Sequence, residues 1–150
     1  MNDEEALATD LGITLLAAAG ALTTAIHDGV VARGYTDLRP AHGFAFARMA
    51  ASGATVTELA GHLGVTRQAA GQLVDELVAK GYAERRPHPD DARARLVVLT
   101  DRGHACTRAA EAAAADAVRP WTAALGPGRV RALTDDLRRV APNGPVRPTW

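Results

Sequence analysis

Residues 57–99 read TELAGHLGVTRQAAGQLVDELVAKGYAERRPHPDDARARLVVL, and this stretch decides the fold. Thr57 is a candidate N-cap, with Glu58 in the first turn where the positive end of a helix favours an acid. A short helix is therefore predicted over 58–63. Gly64 suits its C-terminal cap, and Val65 is expected to be buried in the turn. Thr66 then caps a second helix over 67–80, which Gly81 ends. Tyr82–Pro87 reads as a strand, Pro87–Asp91 has turn chemistry, and Arg93–Leu99 reads as the return strand. Two short helices three residues apart, followed by a hairpin with arginines near its tip, make a helix-turn-helix with a wing. That layout puts one helix in a DNA groove.

The second helix sorts by face. Ala69, Leu73, Val74, Leu77 and Val78 form its apolar stripe, and Arg67, Gln68, Gly71, Gln72 and Asp75 fall on the other side. The exposed set is rich in long hydrogen-bonding side chains near the N-terminal end, where a recognition helix reaches base edges. Arginine favours guanine and glutamine favours adenine, each bidentate pair giving about 1–3 kcal/mol of discrimination. Gly71 costs this helix about 1 kcal/mol relative to alanine; close approach to DNA is one return, and a tolerated neutral residue is the other reading. Thr66 is a cap, a phosphate ligand beside the helix N-terminus, or both. An arginine-bearing wing tip suits the negative potential of a minor groove. Arg93 and Arg95 are the candidates there, and Asp91 is close enough to Arg93 to pair with it. Of Arg85 and Arg86, one is expected to face phosphate, and Arg86 is the candidate taken.

Working outward, Leu7, Leu11, Leu15, Leu22, Ile26 and Val30 recur at helical spacing and predict one long helix over 4–32. Gly34 stops it. Arg39-Pro40 opens the next helix, about 41–51, with proline tolerated in a first turn. After the wing, Thr100-Asp101 starts an alanine-rich helix running to about Ala117 or beyond Pro120. Gly126-Pro127-Gly128 is a break, and an amphipathic helix follows over 129–140 with Val130, Leu133, Leu137 and Val140. The span 142–150 holds three prolines and a glycine and reads as a disordered tail.

Composition agrees with a single domain over 1–150 that is mostly α with a small β-hairpin wing. The chain is 47% hydrophobic but only 4% aromatic, so its core must be aliphatic and alanine packing between helices. Seventeen basic residues balance 17 acidic ones. A neutral chain argues against a charge-driven, histone-like binder, although Arg85, Arg86, Arg93 and Arg95 form a local basic patch. Leu11–Ile26 carries no charge, but it is short for a membrane span of about 20 residues. Its start is acidic rather than basic, unlike a signal peptide. It reads as a buried helix of a cytoplasmic protein with no membrane partner. The lone Cys106 excludes an internal disulfide and reads as a small buried hydrophobe rather than a redox thiol. His42, His104 and Cys106 lack metal-ligand spacing. There is no phosphate loop and no nucleophile motif, so neither an enzyme nor a cofactor is expected.

The span 40–103 closely resembles the MarR family of winged helix-turn-helix regulators. The matching pieces are Thr57-Glu58-Leu59-Ala60, Leu63-Gly64-Val65-Thr66, Leu73-Val74-Asp75-Glu76-Leu77, Gly81-Tyr82, Glu84-Arg85-Arg86, Asp91-Ala92-Arg93 and Leu99-Thr100-Asp101-Arg102-Gly103. The resemblance implies a homodimer built from helices at 4–32 and 101–140, with 40–99 as the DNA-binding lobe. Each protomer would offer one winged helix to half of a pseudo-palindromic operator. Repression is the implied output, with release by a small aromatic or phenolic effector bound between the dimerisation helices and the lobe. His27, Arg39, His42, Phe46 and Trp121 are the candidate lining of that pocket. One departure weakens the wing: the family commonly has Asp-Arg-Arg, and here Ala92 replaces an arginine. A winged helix turned to protein interaction and a non-specific architectural DNA binder are the competing readings.

Overall fold

The computed structural model describes residues 2–141; the predicted tail at 142–150 lies outside them. Helix α1 spans Asp3–Ala32. The Asn2 side chain takes the Glu5 N–H at 2.8 Å and Glu5 returns the bond to the Asn2 N–H at 3.0 Å, a reciprocal box that satisfies two otherwise orphaned donors. Helix α2 (Pro40–Met49), α3 (Val56–Leu63) and α4 (Arg67–Ala79) follow, then strands β1 (Ala83–Pro87) and β2 (Arg95–Leu99), then α5 (Asp101–Leu125) and α6 (Pro127–Val140). The helical elements and the single hairpin match the predicted fold class. Helix α5 continues through Pro120 to Leu125, the longer of the two predicted extents.

The local chemistry differs from the sequence reading at four points. The cap of α3 is Thr55, not Thr57: its hydroxyl accepts the Glu58 N–H at 3.2 Å, and Glu58 accepts the Thr55 N–H at 2.7 Å. The helix therefore starts two residues earlier, at Val56. Val65 is exposed rather than buried, because the tight turn at Gly64, with φ of +67°, aims it outward over α4. On α4 the buried alanine is Ala70, while Ala69 faces solvent. Finally, α1 is not buried by its own chain. Only Val30 is enclosed, whereas Leu7 and Leu16 are 70% and 68% exposed. By length and composition alone α1 could cross a membrane.

One continuous core sits beneath α2, α3 and α4. Phe46 and Met49 meet Leu59, Leu63, Val74 and Leu77, and the cluster runs on through Tyr82, Val97 and Leu99 to Cys106 and Ala113 on α5. The wing strands pair antiparallel, Ala83 opposite Leu99 and Arg85 opposite Val97. Ala54 bonds both ways with Val97 at 3.0 and 2.9 Å, tying the segment before α3 to the free edge of β2. The far end of α1 joins α5 through Arg33 Nη2 on Asp116 Oδ2 at 2.6 Å. That hydrogen bond, with the nearby Arg119 charge, holds the Asp116 carboxyl below its usual range.

Tyr82 is the keystone of this core. Its ring is fully enclosed beside Tyr35 and Phe46, with centroids 6.3 and 5.6 Å away. Its hydroxyl donates to Asp37 Oδ1 at 2.6 Å and accepts from Arg102 Nη2 at 3.0 Å, and the Arg102 guanidinium lies 4.3 Å from the ring centroid. Burial pushes the phenol pKa up to about 12. The same hydroxyl holds the Asp37 carboxyl below its ordinary value. Tyr82→Phe is expected to cost about 1 kcal/mol of unfolding free energy in urea, since it removes the hydroxyl's bonds to Asp37 and Arg102 while keeping the ring, and both partners stay open to water. A loss below ~0.3 kcal/mol would show that the hydroxyl contributes nothing net. The Asp37 share of the cost is present above the ordinary carboxylate range and fades as pH falls through it, because a carboxyl with a depressed folded pKa stabilises only when ionised.

Candidate nucleic-acid interface

Helix α4 begins where Thr66 Oγ1 accepts the Ala69 N–H at 3.1 Å, a cap of the kind worth about 1 kcal/mol. As acceptor to Ala69, the hydroxyl keeps its own proton free to donate outward, so capping and phosphate binding are compatible. Arg67, Gln68 and Gln72 are exposed along the first two turns, and Gly71 is half-buried between them. A Cβ at Gly71 would only touch Val56 Cγ1 at 4.0 Å, so no close packing within the chain demands a glycine there. The opposite face carries Ala70, Val74 and Leu77 into the core. The helix is thus anchored on one side and presents hydrogen-bonding side chains on the other.

The wing stands beside it. Arg86, Arg93 and Arg95 are all exposed. Asp91 does not ion-pair with Arg93 as expected; its Oδ1 accepts the Arg93 backbone N–H at 2.9 Å, which shapes the tip and leaves the guanidinium free of Asp91. His88 closes the same tip, with Nδ1 accepting the Asp90 N–H at 3.1 Å. Arg86 pairs along its own strand with Glu84. Arg85 takes Asp75 Oδ1 of α4 at 2.5 Å, so it braces the wing against the helix and neutralises the acid on the reading face. A third pair, Arg48 with Glu58 at 3.4 Å, ties α2 to α3. These cross-element pairs join residues 10 apart or more, and no local pattern announces them.

The five candidate effector residues are placed differently from one another. Arg39 is exposed, His42 and Phe46 are buried in α2, and His27 and Trp121 are half-buried on α1 and α5. Phe46 packs on Tyr82. His42 and Arg39 both reach Glu76 Oε2 of α4, at 3.0 and 2.6 Å, and these bonds, Arg39's first, hold the Glu76 carboxyl below its usual range. Arg39 and Glu76 also border an open cleft of about 260 Å³ with Ala41, Leu63, Leu73 and Gln72. Cys106 is enclosed, and burial pushes its thiol up to about 11, so it is a packing residue and not a poised thiolate. No cluster of metal-ligating side chains occurs among the described residues.

A buried-face helix aimed outward after a three-residue turn, with a paired hairpin at its side, defines a winged helix-turn-helix protein. Residues 36–94 match the MarR family model. The multiple antibiotic resistance protein MarR of Escherichia coli is 36% identical over 89 residues, 59% of this chain and 62% of that protein. The chain spans about three fifths of the length of the curated relatives it matches. A cysteine-to-serine variant of E. coli MarR complexed with operator DNA superposes with a TM-score of 0.71 at 26% identity, covering 89% of this chain and 94% of that one. CouR from Rhodococcus jostii RHA1 bound to p-coumaroyl-CoA shares the fold with a TM-score of 0.71 at 24% identity, over 91% of this chain and 96% of that one. The chain thus resembles the MarR family through residues 36–94 and shares the winged helix-turn-helix fold of MarR regulators over most of its length.

Proposed function

We propose that this chain is a sequence-specific transcriptional repressor that binds a pseudo-palindromic operator as a homodimer in the cytoplasm. The observation that carries the reading is the exposed row Arg67, Gln68 and Gln72 on the first two turns of α4, beside a wing bearing Arg86, Arg93 and Arg95. Gln68 and Gln72 read base edges; Thr66, Arg86, Arg93 and Arg95 take phosphate or groove; Gly71 admits the backbone to the duplex. One such helix reads only a few base pairs, so useful specificity needs two copies about 34 Å apart. The leucines that α1 leaves exposed, and an α6 with no buried residue, supply the surfaces for a second copy, making 4–32 and 101–140 the dimerisation helices. An aromatic or phenolic effector seated among His27, Arg39, His42, Phe46 and Trp121 would release the DNA by shifting the lobe against those helices.

The test is fluorescence anisotropy with DNA from upstream of the chain's own gene against scrambled DNA at physiological salt. Nanomolar binding with about a thousandfold preference is the expected result. Weak binding indifferent to sequence, across a wider set of genomic fragments, would favour a winged helix that recognises protein, a reading to which Ala92 and the zero net charge lend support. Gln68→Ala and Gln72→Ala are each expected to relax sequence preference by about 1–3 kcal/mol. Arg93→Ala is instead expected to weaken all sequences alike and flatten the salt slope by about one. An unchanged slope would mean that the wing touches neither phosphate nor groove.

A further inference from the structure

Among the described residues the buried polar or charged side chain is His42, 0% exposed in the first turn of α2. Its two nitrogens have different duties. Nδ1 accepts the Arg39 backbone N–H at 2.9 Å, so in the neutral ring the proton resides on Nε2. Nε2 lies 3.0 Å from Glu76 Oε2, which also accepts Arg39 Nη2 at 2.6 Å. Glu76 stands one turn beyond Gln72, on the same side of α4. A single imidazole therefore fastens the start of α2 to the helix that carries the reading face. The charged groups facing it are Arg39 beside its own helix, and Glu76 and Lys80 from α4. Burial keeps its pKa below the ordinary value, the Glu76 carboxylate opposes that, and the Arg39 and Lys80 cations reinforce it.

We propose that His42 is a positioning residue for DNA reading: its neutral ring closes a lock, capping the first turn of α2 through Nδ1 and holding Glu76 of α4 through Nε2, and a proton on Nδ1 breaks the cap, so that the first turn of α2 no longer seats α4 and operator binding is lost in acid. The inference rests on the DNA-reading role proposed above. Protonation sets an Nδ1–H against the Arg39 N–H, two donors face to face at the positive end of α2. The Glu76 end keeps its bond, so the break is at the α2 side. The sign follows from the direction of the shift. The unfolded chain takes this proton near pH 6.5 and the folded chain resists it. The lock's stability is whole above about pH 6.5 and is lost as the pH falls from there through the depressed folded value. General electrostatics predicts the opposite trend, since the chain's five histidines add positive charge in acid and should strengthen binding to a polyanion.

The experiment uses the ¹⁵N-labelled full chain, wild type and Glu76→Gln, with long-range proton–nitrogen spectra of the histidine rings from pH 5 to 8. Anisotropy with the preferred upstream DNA is read on the same samples. The expected spectrum shows His42 neutral with its proton on Nε2 at pH 7.5, titrating below the ordinary histidine value. Wild-type affinity should fall about tenfold or more through that midpoint. In Glu76→Gln the midpoint and the loss of affinity should move together to lower pH, because the opposing carboxylate charge is gone; a merely structural role would not shift a pH profile. An Nδ1–H tautomer, a charged ring at pH 7.5, or an affinity that rises or stays level through the midpoint would overturn the proposal. A chain that shows the expected His42 titration but binds no DNA at any pH would overturn the DNA-reading role and leave the α2–α4 lock standing.

Discussion

Leu133→Asp is expected to abolish both self-association and tight operator binding while leaving the winged-helix lobe folded. Leu133 is 38% exposed on α6, in a helix that buries no residue against its own chain. Val130 and Leu137 are half-buried beside it, and Val140 is 78% exposed. An amphipathic helix whose apolar side its own chain leaves uncovered offers that side to a partner. Aspartate there places a carboxylate in the contact, and in a two-fold interface one substitution appears twice. Leaving a charge unpaired in such a site costs about 3–5 kcal/mol. Two copies would raise the dissociation constant of the dimer by several orders of magnitude. Operator affinity would follow, because each half-site alone is read by a single helix. The measurements are sedimentation equilibrium for mass and anisotropy for DNA. The lobe core, which runs from Phe46 to Leu99 and excludes α6, should keep its far-ultraviolet helical signal. A variant that sediments as a monomer yet binds the operator with full affinity would remove dimerisation from the mechanism.

What was legible in the chain was what local periodicity and capping encode. Helix α4, its Thr66 cap, the Gly64 turn and the hairpin strands all follow from residues within a few positions of one another. The α3 cap is encoded as well: Thr55-x-x-Glu58 has the capping-box spacing, which Thr57, directly before Glu58, lacks. Ala69 and Ala70 are identical side chains, so their sequence cannot say which one faces inward; the angle at which α4 docks on Leu59 and Leu63 decides it. The burial of α1 was misread for a different reason. Leucines at helical spacing say that a face wants cover, but not whether the same chain provides it. Least legible were the pairs Arg85–Asp75, Arg39–Glu76 and His42–Glu76. They join residues on separate elements and depend on helix packing that no short pattern specifies; the burial of Phe46 and His42 is a product of the same packing.

Gly103→Ala and Gly61→Ala should change stability in opposite directions although the substitution is the same. Gly61 lies mid-helix in α3, and a Cβ there meets nothing within 4 Å. Alanine at that position should stabilise by about 0.5–1 kcal/mol through helix propensity and a less free unfolded chain. Gly103 is in the first turn of α5, buried against the base of the wing. A Cβ there would overlap the Tyr82 carbonyl oxygen and press on the Leu99 side chain at 3.1 Å. Neither neighbour can yield cheaply. The Tyr82 carbonyl accepts the Thr100 N–H at 3.0 Å, and Thr100 Oγ1 donates to the Gly81 carbonyl at 2.7 Å while accepting the Gly103 N–H at 3.2 Å. The Tyr82 ring is fixed by Asp37 and Arg102, as described above. Relief therefore requires α5 to back away from the wing, opening the core between Leu99 and Cys106. Overpacking of this kind costs about 1–3 kcal/mol and more where backbone is struck, so a loss of about 3 kcal/mol is expected, large against a total of roughly 5–15 kcal/mol for a domain. Urea midpoints of the two variants against the parent chain give the answer. Since α5 is the element that joins the lobe to α1, the surviving folded fraction of Gly103→Ala should also bind operator more weakly. Equal midpoints for the two variants would mean that α5 and the hairpin base are not in the contact that this packing requires.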